Sequence, residues 1–343
     1  MKKFVFLPIA IAVLSACSSI QPMRVQVRRP AQITVAPNIQ TVAVLNRSIP
    51  SSKQTVETVL TAEKPKQDEE LSNECIRGLN NLLETSDRFK VRYCKETMMA
   101  SDPTSLRFGE LLDWAIVDSL CKANESEALL VLEYFDTDFK VVNPGATAAA
   151  TVGTILNGNT QQIEVTGTAK TTAGFRVYVP ATKTVLYEDH FSWSTTWRQS
   201  STNPIDALSK LIKPNQALME TSYNTGYEFA GSIIPLYYWE DRSLYKGKKD
   251  LMAKGERQAL AKDWEGAVIT WKEVYDDATK SKTRAKAAFN LALGYEVLGD
   301  LETAQKWIQT AYVEGGEDEA LRYSNILDQR VREQEKLKLQ TGE

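Results

Sequence analysis

The alternation of apolar and polar positions changes character along the chain. Residues 4–13 form a short unbroken apolar run. From residue 39 to about 200, β-branched runs alternate with stretches of helical spacing, and beyond residue 206 the spacing is helical almost throughout. Residues 39–45 (IQTVAVL) predict a buried strand, bounded by Pro37-Asn38 and Asn46. Residues 68–86 predict a helix. Asp68, Glu69 and Glu70 suit its N-terminal dipole, and Leu71, Cys75, Leu79 and Leu82 make one apolar face. Residues 88–93 alternate as a strand. Residues 106–122 predict a second helix, with Leu112, Ile116 and Leu120 on one face and Leu111 and Ala115 beside them. Residues 128–132 (ALLVL) predict another buried strand. This β-α-β-α-β order implies an α/β sheet domain with helices packed on it, spanning residues 31–200. Residues 143–161 carry Gly, Ala, Thr and Asn with little periodicity and predict a loop. Residues 163–169, 175–179 and 185–191 continue the sheet in antiparallel fashion, with turn residues at 180–183.

The second half predicts an all-α region. After a helical and aromatic connector at 201–249, Asp263-Trp264-Glu265-Gly266-Ala267 is followed 37 residues later by Asp300-Leu301-Glu302-Thr303-Ala304. In the same register Trp271 matches Ile308 and Tyr275 matches Tyr312. The second unit resembles a tetratricopeptide repeat. Leu291 and Ala292 fill the paired large and small positions, Tyr295 the aromatic one, Gly299-Asp300 the turn, and Ala304, Ile308 and Ala311 the later core. The first unit departs from the pattern at Lys254-Gly255. The resemblance implies repeats at 250–316 and a closing helix and tail at 317–343. Two units are fewer than the three such arrays usually need, so the hairpins must lean on another element, either the aromatic segment 223–239 or the closing helix. The expected protein-binding surface of the repeats carries Trp264, Trp271, Tyr275, Asn290 and Tyr295.

The opening run reads as a leader. Lys2 and Lys3 precede the apolar stretch, and Leu14-Ser15-Ala16-Cys17 reads as a lipobox. Cleavage would remove residues 1–16 and leave Cys17 acylated, with residues 17–30 as a lipidated tether. The run is too short to cross a bilayer, which takes about 20 apolar residues. Arg24, Arg28 and Arg29 follow closely enough to rest on anionic head groups, or they form a solvated strand edge. Ser18 and Ser19, not aspartate, follow Cys17, which points to the outer membrane, and no acidic run follows to mark export to the cell surface, which points to the periplasmic side.

Charge and chemistry narrow the picture. The net charge is −3, from 41 basic and 44 acidic residues, which argues against nucleic acid as a partner, since that requires a basic surface. With Cys17 lipidated, Cys75, Cys94 and Cys121 remain. They are either buried thiols or a disulfide with one thiol left over, and no CxxC spacing marks a zinc site. His190 is the single histidine, without a GxSxG nucleophile elbow. Gly145, Gly153 and Gly158 do not form a phosphate-cradling loop. Glu133, Asp136 and Asp138 are the best acidic cluster: a cation site, a glycosidase-like pair, or a solvated strand end. Trp193 and Trp197 suit either a sugar platform or packing under the sheet. Tyr237-Tyr238-Trp239 suits either a seam between domains or an exposed hot spot. No cofactor or metal is expected.

Several segments carry a wider resemblance: residues 39–47 (IQTVAVLNR), 75–79 (CIRGL), 88–91 (RFKV), 132–136 (LEYFD), 175–178 (FRVY) and 287–292 (AAFNLA). With them the chain resembles an uncharacterised domain-of-unknown-function family of tetratricopeptide-containing lipoproteins from diderm bacteria, which carries no assigned activity. Residues 39–190 are also similar in pattern to exported α/β domains: those of the curli-secretion lipoprotein, of the lipoprotein activators of penicillin-binding proteins, and the TolB N-terminal domain. These resemblances imply a non-catalytic binding or scaffolding role with another cell-envelope protein as partner. Two alternatives remain open. One is an oligomeric assembly or secretion component using the 143–161 loop. The other is a cell-wall hydrolase using Glu133 and Asp136.

Overall fold

A computed structural model describes residues 20–48, 65–86, 88–95, 107–142, 162–248 and 250–342. The leader, Cys17 and the 143–161 loop lie outside the described residues. The elements are β1 (Ile20–Arg29), β2 (Thr41–Asn46), α1 (Pro65–Thr85), β3 (Lys90–Tyr93), α2 (Trp114–Ala123), β4 (Ala128–Val142), β5 (Ile163–Val179) and β6 (Thr184–Ser201). They continue as α3 (Pro204–Lys210), α4 (Pro214–Gly231), β7 (Leu236–Tyr245), α5 (Leu251–Leu260), α6 (Trp264–Asp277), α7 (Ser281–Leu298), α8 (Leu301–Gly315) and α9 (Asp318–Thr341). The chain divides into two compact units, residues 30–236 with 336–343, and residues up to 29 with 237–335.

The first unit is a mixed five-stranded sheet in the order β3-β2-β4-β5-β6. β2 pairs in parallel with β3 and β4, and β4, β5 and β6 form an antiparallel meander. The alternation of β2 and β4 sends Val42, Val44, Leu130 and Leu132 to a core shared with α1 and α4. Ala43, Leu45, Leu129 and Val131 pack on the other face with α2. Phe175 stacks on Phe229 with ring centroids 3.8 Å apart. Helices α1 and α4 cross backbone to backbone: a Cβ on Gly226 would lie 1.8 Å from the Cys75 carbonyl oxygen.

Several elements differ from the sequence reading. α2 starts at Trp114, not residue 106. Asp113 caps it by accepting from Ala115 N–H at 2.7 Å. Arg176 donates to the preceding Gly109 carbonyl at 2.8 Å, which takes that acceptor out of any helical ladder. In consequence Val117, Leu120 and Cys121 are the buried face, and Ile116 is exposed. The acidic residues 133–138 do not end a strand. β4 runs through them, and its register shifts between Leu132 and Tyr134. The two short strands at 163–169 and 175–179 are one strand, β5. Cys75, Cys94 and Cys121 form no disulfide, and burial pushes the Cys75 and Cys121 thiols up.

The second unit is helical around a two-stranded ribbon of β1 and β7. Helices α5 to α8 form two hairpins, followed by most of α9. The residues expected to be a tether, 20–29, thus form a strand of this unit. Val25, Val27, Leu244 and Tyr245 of the ribbon share one core with Trp271, Phe289, Ile308 and Leu327 of the helices. The last residues of α9 belong to the sheet unit. There Gln340 accepts from Ala31 N–H and donates to the Ala31 carbonyl, both at 2.9 Å.

Candidate functional site

The two helical hairpins are built alike. Asp263 and Asp300 cap α6 and α8, accepting from Gly266 N–H and Thr303 N–H at 3.0 Å in each case. Their backbones match, with φ/ψ of −83°/72° and −85°/76°. The residue before each cap is left-handed: Gly299 at φ 87° and Lys262 at φ 66°.

Asn290 joins the ribbon to the hairpins. It is fully buried, and its amide accepts from Tyr245 N–H at 2.8 Å and donates to the Tyr245 carbonyl at 2.9 Å. Beside it lies a buried ionic cluster. Arg242 donates to both oxygens of Glu296 at 2.9 and 2.7 Å, and Tyr323 Oη donates to Glu296 at 2.6 Å. Burial, then the Glu296 charge, push the Tyr323 phenol well above its ordinary value. Such a cluster stabilises little against an apolar equivalent, but losing one partner strands a buried charge.

Above this cluster opens a groove of about 440 Å³. Ile20, Phe289, Tyr323 and Ile326 give it an apolar lining, and Asp241, Glu319 and Arg322 are charged residues among its walls. Glu319 accepts from Ser243 Oγ and Arg322, both at 2.6 Å, and these bonds hold its carboxyl below the usual range. The groove therefore offers apolar area and charges already fixed in place.

The residues expected on the binding surface do not come together. Trp271 and Asn290 are fully buried and belong to the interior, because the hairpins fill their own inner face with the ribbon. Trp264 and Tyr295 are half-buried against the same core. Tyr275 packs edge-on against Trp307 at 4.9 Å and accepts from Arg284 at 3.0 Å. No sequence signal marked Arg242, Glu296 or Tyr323, since their burial comes from contacts between distant segments.

The acidic cluster also divides. Glu133 is buried at the β4 irregularity, paired with Arg47 Nη1 at 2.7 Å and Arg176 Nη1 at 3.3 Å, and Tyr178 Oη donates to it at 3.3 Å. Asp136 and Asp138 are exposed farther along the strand, with Lys140 at 2.6 Å from Asp138. This arrangement gives no support to a carboxylate pair flanking a glycosidic bond. His190 is exposed beside Asp189. Trp197 packs in two apolar clusters under the sheet with Val165 and Leu218. Among the described residues no group of three or more His, Cys, Asp or Glu is placed to hold a metal ion, and no helix is long and apolar enough to cross a membrane.

Fold and groove together define a protein of two units, a mixed sheet with helices and an all-helical region built on a ribbon. The chain belongs to the family described as domain of unknown function DUF8603, whose profile matches residues 39–245. A second profile, domain of unknown function DUF6340, matches residues 253–329. No curated protein matches the chain. Among solved structures it is similar to the PelC dodecamer from Paraburkholderia phytofirmans, at 8% identity over 62% of this chain and 99% of that one, with a TM-score of 0.22. A point-substituted form from the same organism matches at 11% identity over 60% and 99%, with a TM-score of 0.18. Scores this low do not establish a shared fold.

Proposed function

We propose that the protein is a non-catalytic binding or scaffolding lipoprotein of the bacterial envelope. It is acylated at Cys17, held on the outer membrane facing the periplasm, and engages another envelope protein through its helical unit. The groove of about 440 Å³ carries this reading, because it pairs an apolar floor with fixed charges of both signs. The matched caps and turns at Asp263 and Asp300 support a tetratricopeptide-like character for the hairpins. With the inner face taken by the ribbon, the partner meets the groove instead.

The test is in-cell crosslinking of tagged full-length protein, with partners identified by mass spectrometry, in wild type and in Ile326→Asp. Ile326 is 38% exposed, so the substitution spares the core. A stoichiometric envelope partner lost in the variant supports the reading, and an unchanged partner set removes the groove from it. Deleting residues 250–343 is a poorer test. It would expose Val25, Val27 and Leu244 and also take Gln340 from the sheet unit.

One observation favours assembly as a second reading. β6 is an 18-residue edge strand, and edges of that length template pairing with other chains. A monomeric detergent-solubilised species would count against it.

A further inference from the structure

The ribbon has two unlike faces. Val25, Val27 and Leu244 point into the helical core. On β7 the alternate aromatic side chains Tyr237 and Trp239 lie on the face opposite Leu244 and stay in solvent, 62% and 57% exposed. The arginines of β1 lie over them. The Arg24 guanidinium is 5.9 Å from the Trp239 ring centroid, and Arg28 is 5.9 Å from Tyr237. Folding thus brings together two groups more than 200 residues apart in sequence. We propose that this outward face of the β1–β7 ribbon is a membrane-interface contact that seats on an anionic lipid surface.

The composition fits that occupant. Trp and Tyr place an apolar ring and a polar edge at head-group level, and Arg pairs with phosphate while its stem covers apolar area. Asp241 is the acidic residue paired with Arg24. Its contact with Arg24, at 3.6 Å between two highly exposed side chains, is too weak to neutralise the arginine against a phosphate. Cys17 precedes Ile20 by three residues, a reach of at most about 11 Å. An acyl anchor at Cys17 therefore keeps this face within reach of the bilayer. The inference rests on that proposed acylation for its cellular setting, but not for the contact itself.

The test uses the full mature chain from residue 17 with Cys17→Ser, so that no acyl group contributes. It is sedimented with vesicles of phosphatidylethanolamine and phosphatidylglycerol, and with phosphatidylcholine alone. The expected result is salt-sensitive binding to the anionic vesicles only. Arg24→Ala with Arg28→Ala should weaken it about twenty-five-fold, at roughly fivefold per arginine. Trp239→Ala should also weaken binding, while Arg257→Ala with Arg332→Ala, equal in charge but elsewhere, leaves it unchanged. Near-UV circular dichroism checks that each variant is folded. Absence of binding by the wild-type ribbon, or equal binding by all variants, overturns the proposal. So does loss of a crosslinked envelope protein in the ribbon variants with vesicle binding intact, which would make this face a protein interface. Acylation is read separately, by palmitate labelling of the full-length chain. An unlabelled Cys17 removes the anchor and leaves the vesicle result standing.

Discussion

The indole of Trp271 occupies the space a side chain at Gly255 would need: a Cβ there would lie 2.4 Å from Trp271 Nε1 and 2.6 Å from Cδ1. In the second hairpin the corresponding residues, 37 positions on, are Ala292 and Ile308, both fully buried. One hairpin pairs the largest side chain with glycine, and the other pairs a methyl group with a side chain of middling size. Gly255→Ala should cost about 1–3 kcal/mol through overpacking. Combining it with Trp271→Ile reproduces the second hairpin's pair and should recover part of that loss. Urea unfolding of the single and double variants gives the coupling directly.

Lys262 holds a left-handed backbone, φ 66°, where the equivalent residue is Gly299 at φ 87°. Both follow the same cap logic. Asp263 N–H donates to the Gln258 carbonyl at 2.9 Å, and Asp300 N–H to the Tyr295 carbonyl at 3.0 Å. A lysine in this region bears a steric cost that glycine avoids. Lys262→Gly should therefore stabilise the protein, by about 0.5–1 kcal/mol after the added freedom of the unfolded chain is allowed for. A lower melting temperature for the variant would contradict this.

The Asp300 cap gives a pH dependence. Hydrogen bonds from Thr303 hold its carboxyl below the ordinary aspartate value of 3.8. A depressed folded-state pKa contributes stability that is present above the unfolded value and lost as pH falls through the folded one. Asp300→Asn keeps a capping oxygen and should nearly match wild type in acid while trailing it slightly at neutral pH. Asp300→Ala should cost about 1 kcal/mol at neutral pH. Thermal melts of the three proteins across acidic to neutral pH decide the matter.

Glu133 and Asp136, three residues apart, should respond in opposite ways. Glu133→Ala leaves Arg47 and Arg176 facing each other in the interior and should cost about 3–5 kcal/mol. Partial desolvation by the neighbouring strand residues and then the nearby Asp138 charge raise the Asp136 carboxyl above 3.8. A raised carboxyl pKa favours folding most below the unfolded value and loses that contribution as pH rises through the folded one. Asp136→Asn should thus be neutral or slightly stabilising at pH 7 and without benefit in strong acid. A strongly destabilised Asp136→Asn protein would show that the charge has a partner role.

How far the fold could be read from the chain depended on whether a residue's partner was local. β2, α1 and the start of β4 carry apolar periodicity in their own residues, and all three were legible. β4 beyond Leu132 was not, because the irregularity at Glu133 shifts the phase just where Phe135 and Phe139 resume the alternation. The middle of β5 was missed for a different reason. Its inward residues Ala169, Thr171 and Ala173 are small and fully buried against helices that need little space, with Thr171 Oγ1 3.5 Å from Ser222 Oγ. Hydropathy gives such positions no weight. Of the candidate surface, Trp271 and Asn290 stand out by residue type, but both are interior. What buries them is a ribbon whose strands lie at opposite ends of the sheet domain's sequence, and no local pattern records that pairing.

The pairing of β1 with β7 bears on the order in which the chain is made. A polypeptide that emerges N-terminus first presents residues 20–29 long before residues 236–245 and the helices that cover them. The sheet unit likewise waits for Gln340 to meet Ala31. β1 therefore waits through the synthesis of the whole intervening sheet unit before its ribbon partner exists, and Val25 and Val27 stay uncovered in that interval.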